Sequence, residues 1–419
     1  MEQNPNDQSI LQHHRSISLP YDILNIIIFL LKFPQRTNFT ISDSTFFIDL
    51  SEPVENNFSE FWNILDNLFT IFTAPSTNTF RIHLHETLFE EPSIRAILHS
   101  WTRRLRARNF QHVEIRSTCC FYGDKVFPPS IFQIHSLVSL NLDYIYFEEF
   151  DQFVSHPIIL PNLKKLKLGV VDYGILEWLL SCCPSIEDLF FRIETTPTSN
   201  KGPSITSKNL KRLRISHFLA RGPRDFIEII IDAPTLEYLY FSGSFLSMRM
   251  FDLIPNVKAL DLGGRSTTRL YNSTTKMIFP SWTHLTLHLG YEIFKAIFEQ
   301  KMLHCPNLEN LVLQFYGTNF YDFIWEPEAK FGLVEHVKHL ELRMTVIRFN
   351  QRTLDLVTWL LGSAPVLEKL VLFANQSYSD DKSKAQFQQG VIEFAEDSSR
   401  CQIEFLGAFN KQEARLRWA

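Results

Sequence analysis

Apolar residues return at one fixed spacing through most of the chain: Leu-x-x-Leu-x-Leu, with polar residues between them. Clear copies are Asn162-Leu-Lys-Lys-Leu-Lys-Leu168, Asn209-Leu-Lys-Arg-Leu-Arg-Ile215, Thr235-Leu-Glu-Tyr-Leu-Tyr-Phe241 and Asn307-Leu-Glu-Asn-Leu-Val-Leu313. The first apolar positions are Leu137, Leu163, Ile186, Leu210, Leu236, Val257, Trp282, Leu308, Val337 and Leu367, at steps of 21 to 30 residues. The last apolar pair of each copy alternates with polar residues, as in a strand with one buried face. Such a strand cannot cover its own apolar side chains, so successive copies must stack.

That period is the leucine-rich-repeat signature. It predicts an α/β solenoid, a horseshoe with a parallel β-sheet on its concave face and helices on its convex face. Helix-like stretches fall between strands, for example at 175–180 and 354–361. Pro161, Pro184, Pro234, Pro255, Pro280, Pro306 and Pro365 read as stops that end each helical side. Upstream, 92–108 reads as a helix with Ile94, Leu98, Trp101 and Leu105 on one face. Its basic end, Arg103 to Arg108, complements the helix dipole better than it suggests a nucleic-acid contact. Residues 80–84 and 112–115 read as the first strands. Residues 374–384 read as a polar loop, and 391–394 and 402–406 as final strands closing the far end.

One apolar run stands outside the repeat: LPYDILNIIIFLLKFP, residues 19 to 34. A spanning helix needs roughly 20 apolar residues, and this run is shorter and broken by Asn25. Its flanks do not suit a secretory signal, with Glu2 and Asp7 in front and Lys32-Phe33-Pro34 behind. A buried helix and a docking helix remain. Pro20 suits a first helical turn, where its missing N–H costs nothing. Ile23, Leu24, Ile27, Leu30 and Leu31 then make one wide apolar face.

Composition narrows the function classes. The 419 residues are 45% hydrophobic, with 38 Phe and only 14 Gly, which favours packed surface over flexible linker. A net charge of −5, from 41 basic and 46 acidic residues, gives no general reason for a nucleic-acid or membrane surface. The six cysteines include no Cys-x-x-Cys pair and no zinc spacing. They read as buried free thiols of a reducing compartment, cytoplasm or nucleus. No phosphate-binding glycine loop, no His-Glu-x-x-His and no Gly-x-Ser-x-Gly occurs. Gly263-Gly264 reads as a turn, and the histidines at 284, 288, 336 and 339 read as surface residues of the repeats. A non-enzymatic protein without cofactor or metal is expected.

The solvent face of the strands is the candidate binding surface. Between the last two apolar positions the copies read Asn141, Lys167, Phe190, Arg214, Tyr240, Asp261, Thr286, Val312, Glu341 and Val371. Two residues earlier stand Lys165, Asp188, Arg212, Tyr238 and His284. Phe190, Arg212, Arg214, Tyr238 and Tyr240 are expected to form one patch, because arginine and aromatic residues dominate binding hot spots.

Leu160 to Leu168, followed by Leu176-Glu-Trp-Leu-Leu-Ser-Cys-Cys-Pro-Ser-Ile-Glu-Asp-Leu189, resembles the typical repeat of plant F-box/leucine-rich-repeat proteins of the FBD type. Ser100-Trp-Thr-Arg-Arg-Leu105 and Ala364-Pro-Val-Leu-Glu-Lys-Leu-Val-Leu372 are similar to that family's lead-in and closing repeat. Leu19-Pro-Tyr-Asp-Ile-Leu24 resembles the first helix of an F-box. The family's following helices and its Ser-x-x-Trp element are missing before Phe46, so the F-box is shortened by about half. The resemblance implies this division: a tail over 1–18, a partial F-box-like helix over 19–36, and a solenoid lead-in over 37–125. Leucine-rich repeats over 126–373 and an FBD-like closing region over 374–419 follow. It implies a substrate-recognition subunit of an SCF-type (cullin-RING) ubiquitin ligase, with Leu19, Pro20, Ile23, Leu24 and Ile27 meeting a Skp-type adaptor. The protein target is unknown. Two other readings stay open: a repeat-only interaction protein that has lost the adaptor through its shortened F-box, and a receptor with a small-ligand pocket.

Overall fold

In the computed structural model the Leu-x-x-Leu-x-Leu copies are strands of parallel sheet. The structure describes residues 38–41, 45–50, 77–85, 94–117, 127–143, 158–169, 173–193, 201–217, 228–242, 256–263, 277–278, 281–289, 303–315, 332–377, 379–398 and 401–409. The chain divides into two units. One holds residues 1–195 and 207–210, the other 196–206 and 211–419.

The first unit begins with β1 (Asn38–Ile41), antiparallel to β2 (Thr45–Leu50). β2 continues in parallel through β3 (Thr79–Leu84), β4 (His112–Ser117), β5 (Ser139–Asp143), β6 (Lys165–Leu168) and β7 (Asp188–Ile193). The sheet thus starts earlier than the strand expected at residue 80, because the Phe46 and Ile48 side chains are buried like the apolar ones of β3 to β7. Phe46 stacks on Phe80 at 5.6 Å between ring centroids, and the Phe80 edge meets Trp101 at 5.9 Å. Trp101 belongs to helix α1 (Ile94–Ala107), where Leu98, Trp101 and Leu105 are all buried. The helix stops at Asn109, whose φ of 55° is the left-handed conformation asparagine tolerates. Phe110 N–H then donates to the Leu105 carbonyl and Asn109 N–H to the Arg106 carbonyl. Helix α2 (Tyr173–Cys182) covers the expected 175–180 stretch, and Trp178 meets Phe132 edge to face at 6.2 Å.

The second unit carries a parallel sheet of β9 (Arg212–His217), β11 (Tyr238–Ser242), β12 (Ala259–Gly263), β14 (His284–Leu289), β16 (Asn310–Phe315), β17 (His339–Ile347), β18 (Lys369–Ser377) and β19 (Gln402–Gly407). Where the preceding repeat uses α2, this unit places short strands. β8 (Lys201–Thr206) pairs with β10 (Glu228–Asp232), and β13 (Met277–Ile278) with β15 (Leu303–His304). The β-branched Ile229-Ile230-Ile231 run suits a strand better than a helix. The helix expected at 354–361 is α3 (Gln351–Ser363), capped where the Asn350 side chain accepts from Thr353 N–H at 3.0 Å.

Two expectations at the C-terminal end fail. Residues 374–377 extend β18, and 391–394 lie inside helix α4 (Asp381–Ser398) rather than in a strand. Val-Ile-Glu-Phe has strand propensity, but the Asp380 side chain accepts from Ser383 N–H at 2.7 Å and caps a helix there. Packing fixes it: a Cβ on Gly390 would meet the Leu354 side chain of α3 at 2.9 Å. Phe349, Phe387 and Phe405 all pack on Phe409, at 5.1, 6.0 and 5.3 Å between centroids.

The prolines also act differently from helix stops. Pro161, Pro184, Pro234, Pro306 and Pro365 are each the second residue of a tight turn, where a fixed φ is already correct. The fourth residue donates back to the first: Leu163 to Leu160, Ile186 to Cys183, Leu236 to Ala233, Leu308 to Cys305, Leu367 to Ala364. Pro255 and Pro280 lie outside the described residues. Two further kinds of hydrogen bond tie repeat to repeat. The Lys211 carbonyl accepts from both Glu237 and Tyr238 N–H, and the Glu237 carbonyl does the same for Lys258 and Ala259. The asparagine before the first leucine reaches back one repeat: Asn209 donates to the Pro184 carbonyl at 2.8 Å, Asn256 to the Pro234 carbonyl at 2.7 Å.

Gly407 gives this end a direct test. Its φ is +70°, and any Cβ there would run into the Ala374 carbonyl. Gly407→Ala should lower the unfolding free energy by about 1–2 kcal/mol from the left-handed backbone alone, and by more once the clash is counted. Urea denaturation followed by circular dichroism reads this, and an unchanged midpoint would contradict it.

Candidate recognition surface

Alternation puts every second residue of each strand on the solvent face, opposite the leucines. In the first unit that face is a charge network. Glu114 on β4 accepts from His83 Nε2 at 2.8 Å, and Arg116 Nε stands 2.8 Å from the same carboxylate. Burial works against ionising Glu114, but the His83 hydrogen bond and the Arg116 and Arg81 charges outweigh it, and its pKa lies below the ordinary 4.5. Phe47 meets the His83 ring at 5.1 Å, edge to face. One strand on, Lys167 Nζ donates to Asp143 Oδ2 at 2.6 Å and lies 5.1 Å from the centre of the Phe190 ring.

In the second unit the sequence-predicted residues meet in register. Arg212 pairs with Tyr238 and Arg214 with Tyr240 across β9 and β11. Both arginines are exposed and both tyrosines half-buried. Phe190, also half-buried, belongs to the first unit. Leu19, Pro20, Ile23, Leu24 and Ile27 lie outside the described residues. Farther along the face, polar side chains pair at close range. His288 Nε2 stands 2.9 Å from Asp261 Oδ1 and its ring 6.4 Å from that of Tyr240. Arg343 makes two hydrogen bonds to Glu341, at 2.8 and 3.1 Å, and Lys369 stands 2.7 Å from Glu404. Half-buried as they are, these pairs join neighbouring positions of the solvent face.

Glu114, Asp143, Arg116 and His83 did not emerge from the sequence as surface candidates. A readable signal existed: most of them stand one step beyond the last leucine of their copies, on the same face. Gly263, expected as a turn, is the last residue of β12, where a Cβ would meet Ser242 Oγ at 2.8 Å. The histidines are engaged locally: His284 Nδ1 lies 2.8 Å from Thr283 Oγ1 and His339 Nδ1 2.9 Å from Asn310 Oδ1. Among the described residues no group of three or more His, Cys, Asp or Glu is placed to hold a metal ion. Burial pushes the Cys183 thiol up to about 12, with the Cys182 thiol adding to the effect, and burial alone pushes Cys305 up to about 12.

Comparison with known proteins accounts for this frame. Residues 98–259 match the repeat model described as FBD-associated F-box protein At5g56370, LRR repeats. The chain is a relative of the plant FBD-type F-box/leucine-rich-repeat proteins. F-box/FBD/LRR-repeat protein At1g78750 of Arabidopsis thaliana is 22% identical over 405 residues, 84% of this chain and 85% of its own length. FBD-associated F-box protein At4g13985 of the same plant is 26% identical over 320 residues, 65% of this chain and 67% of its own. Putative F-box/FBD/LRR-repeat protein At5g22670, also of Arabidopsis, is 27% identical over 369 residues, 77% and 81%. The leucine-rich-repeat family and the parallel sheets agree on an α/β repeat solenoid.

Two measurements follow from these side chains. A carboxylate whose folded pKa is depressed stabilises above its unfolded value and loses that contribution as pH falls through the folded one. Glu114→Gln should therefore cost about 1 kcal/mol at neutral pH and flatten the loss of stability below pH 4.5. Parallel acid limbs in urea titrations of both proteins would contradict this. Iodoacetamide at pH 8 should leave Cys183 and Cys305 unmodified in the folded protein and alkylate both in urea, as peptide mass spectrometry reads directly.

Proposed function

We propose that this chain is the substrate-recognition subunit of an SCF-type (cullin-RING) ubiquitin ligase, with the target held on the solvent face of the repeats. The observation that carries the reading is the likeness to F-box/FBD/LRR-repeat proteins along 84% of the chain. The F-box-like segment of the sequence, residues 19–36, docks on a Skp-type adaptor through Leu19, Pro20, Ile23, Leu24 and Ile27, and the adaptor links it to the cullin. The solvent face lies on the concave side of a horseshoe. There Arg212, Arg214, Tyr238 and Tyr240 of the second unit, and Phe190 of the first, are contact residues for a protein target in the cytoplasm or nucleus.

The adaptor arm is tested by pull-down of the purified full chain with the adaptor, beside Ile23→Asp/Ile27→Asp. The wild-type chain should retain the adaptor and the double variant should not. Absence of adaptor from the wild type would leave a repeat-only interaction protein. The target arm is tested separately, with proteins captured from plant tissue by the wild-type chain. Tyr240→Ala or Arg214→Ala should weaken capture of the target by about 2 kcal/mol, a hot-spot effect, and leave the urea midpoint near that of the wild type. Undiminished capture by both variants would remove the patch from the reading.

A further inference from the structure

The sheet of the second unit ends on β19, and among the described residues only β18 pairs with it. Its backbone is bonded on that one side. Gln402 N–H donates to the Glu368 carbonyl at 2.9 Å, and Ala408 N–H to the Ala374 carbonyl at 2.6 Å. Residues of a parallel strand face its two sides in turn, so Glu404 and Leu406 also bond toward β18. The N–H and C=O of Ile403 and Phe405 therefore point to the open edge. Their side chains take the core positions that Leu370 and Leu372 take in β18. Leu370 and Leu372 are fully buried, whereas Ile403 and Phe405 are only half-buried. An unpaired backbone edge beside partly covered apolar side chains is a template for another strand.

The chain's own sequence supplies an occupant. Gly407, at φ +70°, turns the backbone out of β19, and Phe409 is anchored on Phe349, Phe387 and Phe405. Residues 410–419, NKQEARLRWA, follow directly and lie outside the described residues. Ala414, Leu416 and Trp418 alternate there with Arg415 and Arg417, the pattern of a strand with one apolar face. We propose that residues 414–419 pair antiparallel with the open edge of β19 and close the sheet. Leu416 lies opposite Phe405 and Trp418 opposite Ile403, with 408–413 as the connecting loop. The same register sets Arg417 opposite Glu404, which already stands 2.7 Å from Lys369. Opposite charges in directly facing positions attract. A slip by one residue would turn the arginines to the core face. A second copy of β19 fits less well: laid antiparallel about its centre, it would set Glu404 against Glu404, and like charges so placed repel.

The test is amide hydrogen exchange at single-residue resolution on the full chain. The outward N–H groups of Ile403 and Phe405 should be protected in the wild type. Leu416→Asp/Trp418→Asp should speed their exchange roughly tenfold or more, and leave Leu406, whose N–H faces β18, near its wild-type rate. Paired cysteines then identify the occupant. Glu404→Cys/Arg417→Cys should form a disulfide within one chain on mild oxidation, since directly opposed side chains come close enough to bridge. It should form more than Glu404→Cys/Leu416→Cys, whose two side chains rise from opposite faces. Mass spectrometry of non-reduced digests separates these bridges from any made by Cys401. Free exchange of Ile403 and Phe405 in the wild type would overturn the proposal, as would protection that survives the double Asp variant. So would a bridge formed between two chains, which would make the occupant a second copy, or equal bridging by the two cysteine pairs, which would deny the register.

Discussion

No single repeat of this chain can keep its own leucines dry, and the rest of the structure is arranged around that constraint. Each copy presents two or three apolar side chains on one side of a short strand. They are buried only because the next copy brings its own to the same depth: Leu239 beside Leu260, Leu260 beside Leu285, Leu285 beside Leu311. Full burial of such a side chain contributes roughly 1.5–3 kcal/mol, so misplacing one repeat also exposes its neighbours. The polar backbone follows the same logic. One carbonyl per copy takes two N–H groups from the next, and a tight turn sets each new strand at the angle these bonds require.

This burial places few demands on the solvent face, where composition can vary. The first unit fills it with interlocked charges around Glu114 and Asp143. The second opens with two arginines over two tyrosines, then turns to close pairs such as Glu341 with Arg343. Recognition can differ along the array while the leucine side stays constant. That division suits a protein that holds a partner on one face and is built by repetition on the other.

The repeat starts were legible because a leucine at a fixed place in a strand leaves the same trace in every copy. Helices α1, α2 and α3 were legible from their apolar stripes. The failures have physical causes. Val391 to Phe394 has strand propensity, but the Asp380 cap and the close approach of Gly390 to Leu354 place it in a helix; neither contact is local to those four residues. The outer strands β8 and β10 stabilise each other across more than twenty residues, and nothing in either segment names its partner. The pairing of Arg212 with Tyr238 follows from register alone and was legible. The Glu114 and Asp143 clusters depend on which side chains cross between strands, which spacing along one strand does not state.

Native-state hydrogen exchange tests the central claim, that burial is shared between neighbouring repeats, on the second unit of the full chain. Leu285 on β14 is buried, and Leu285→Ala should cost about 2–5 kcal/mol. The account predicts that amides of β14 lose most protection, those of β12 and β16 lose a clear share, and those of β18 and β19 keep theirs. Loss confined to β14, or equal loss in every strand from β9 to β19, would contradict it.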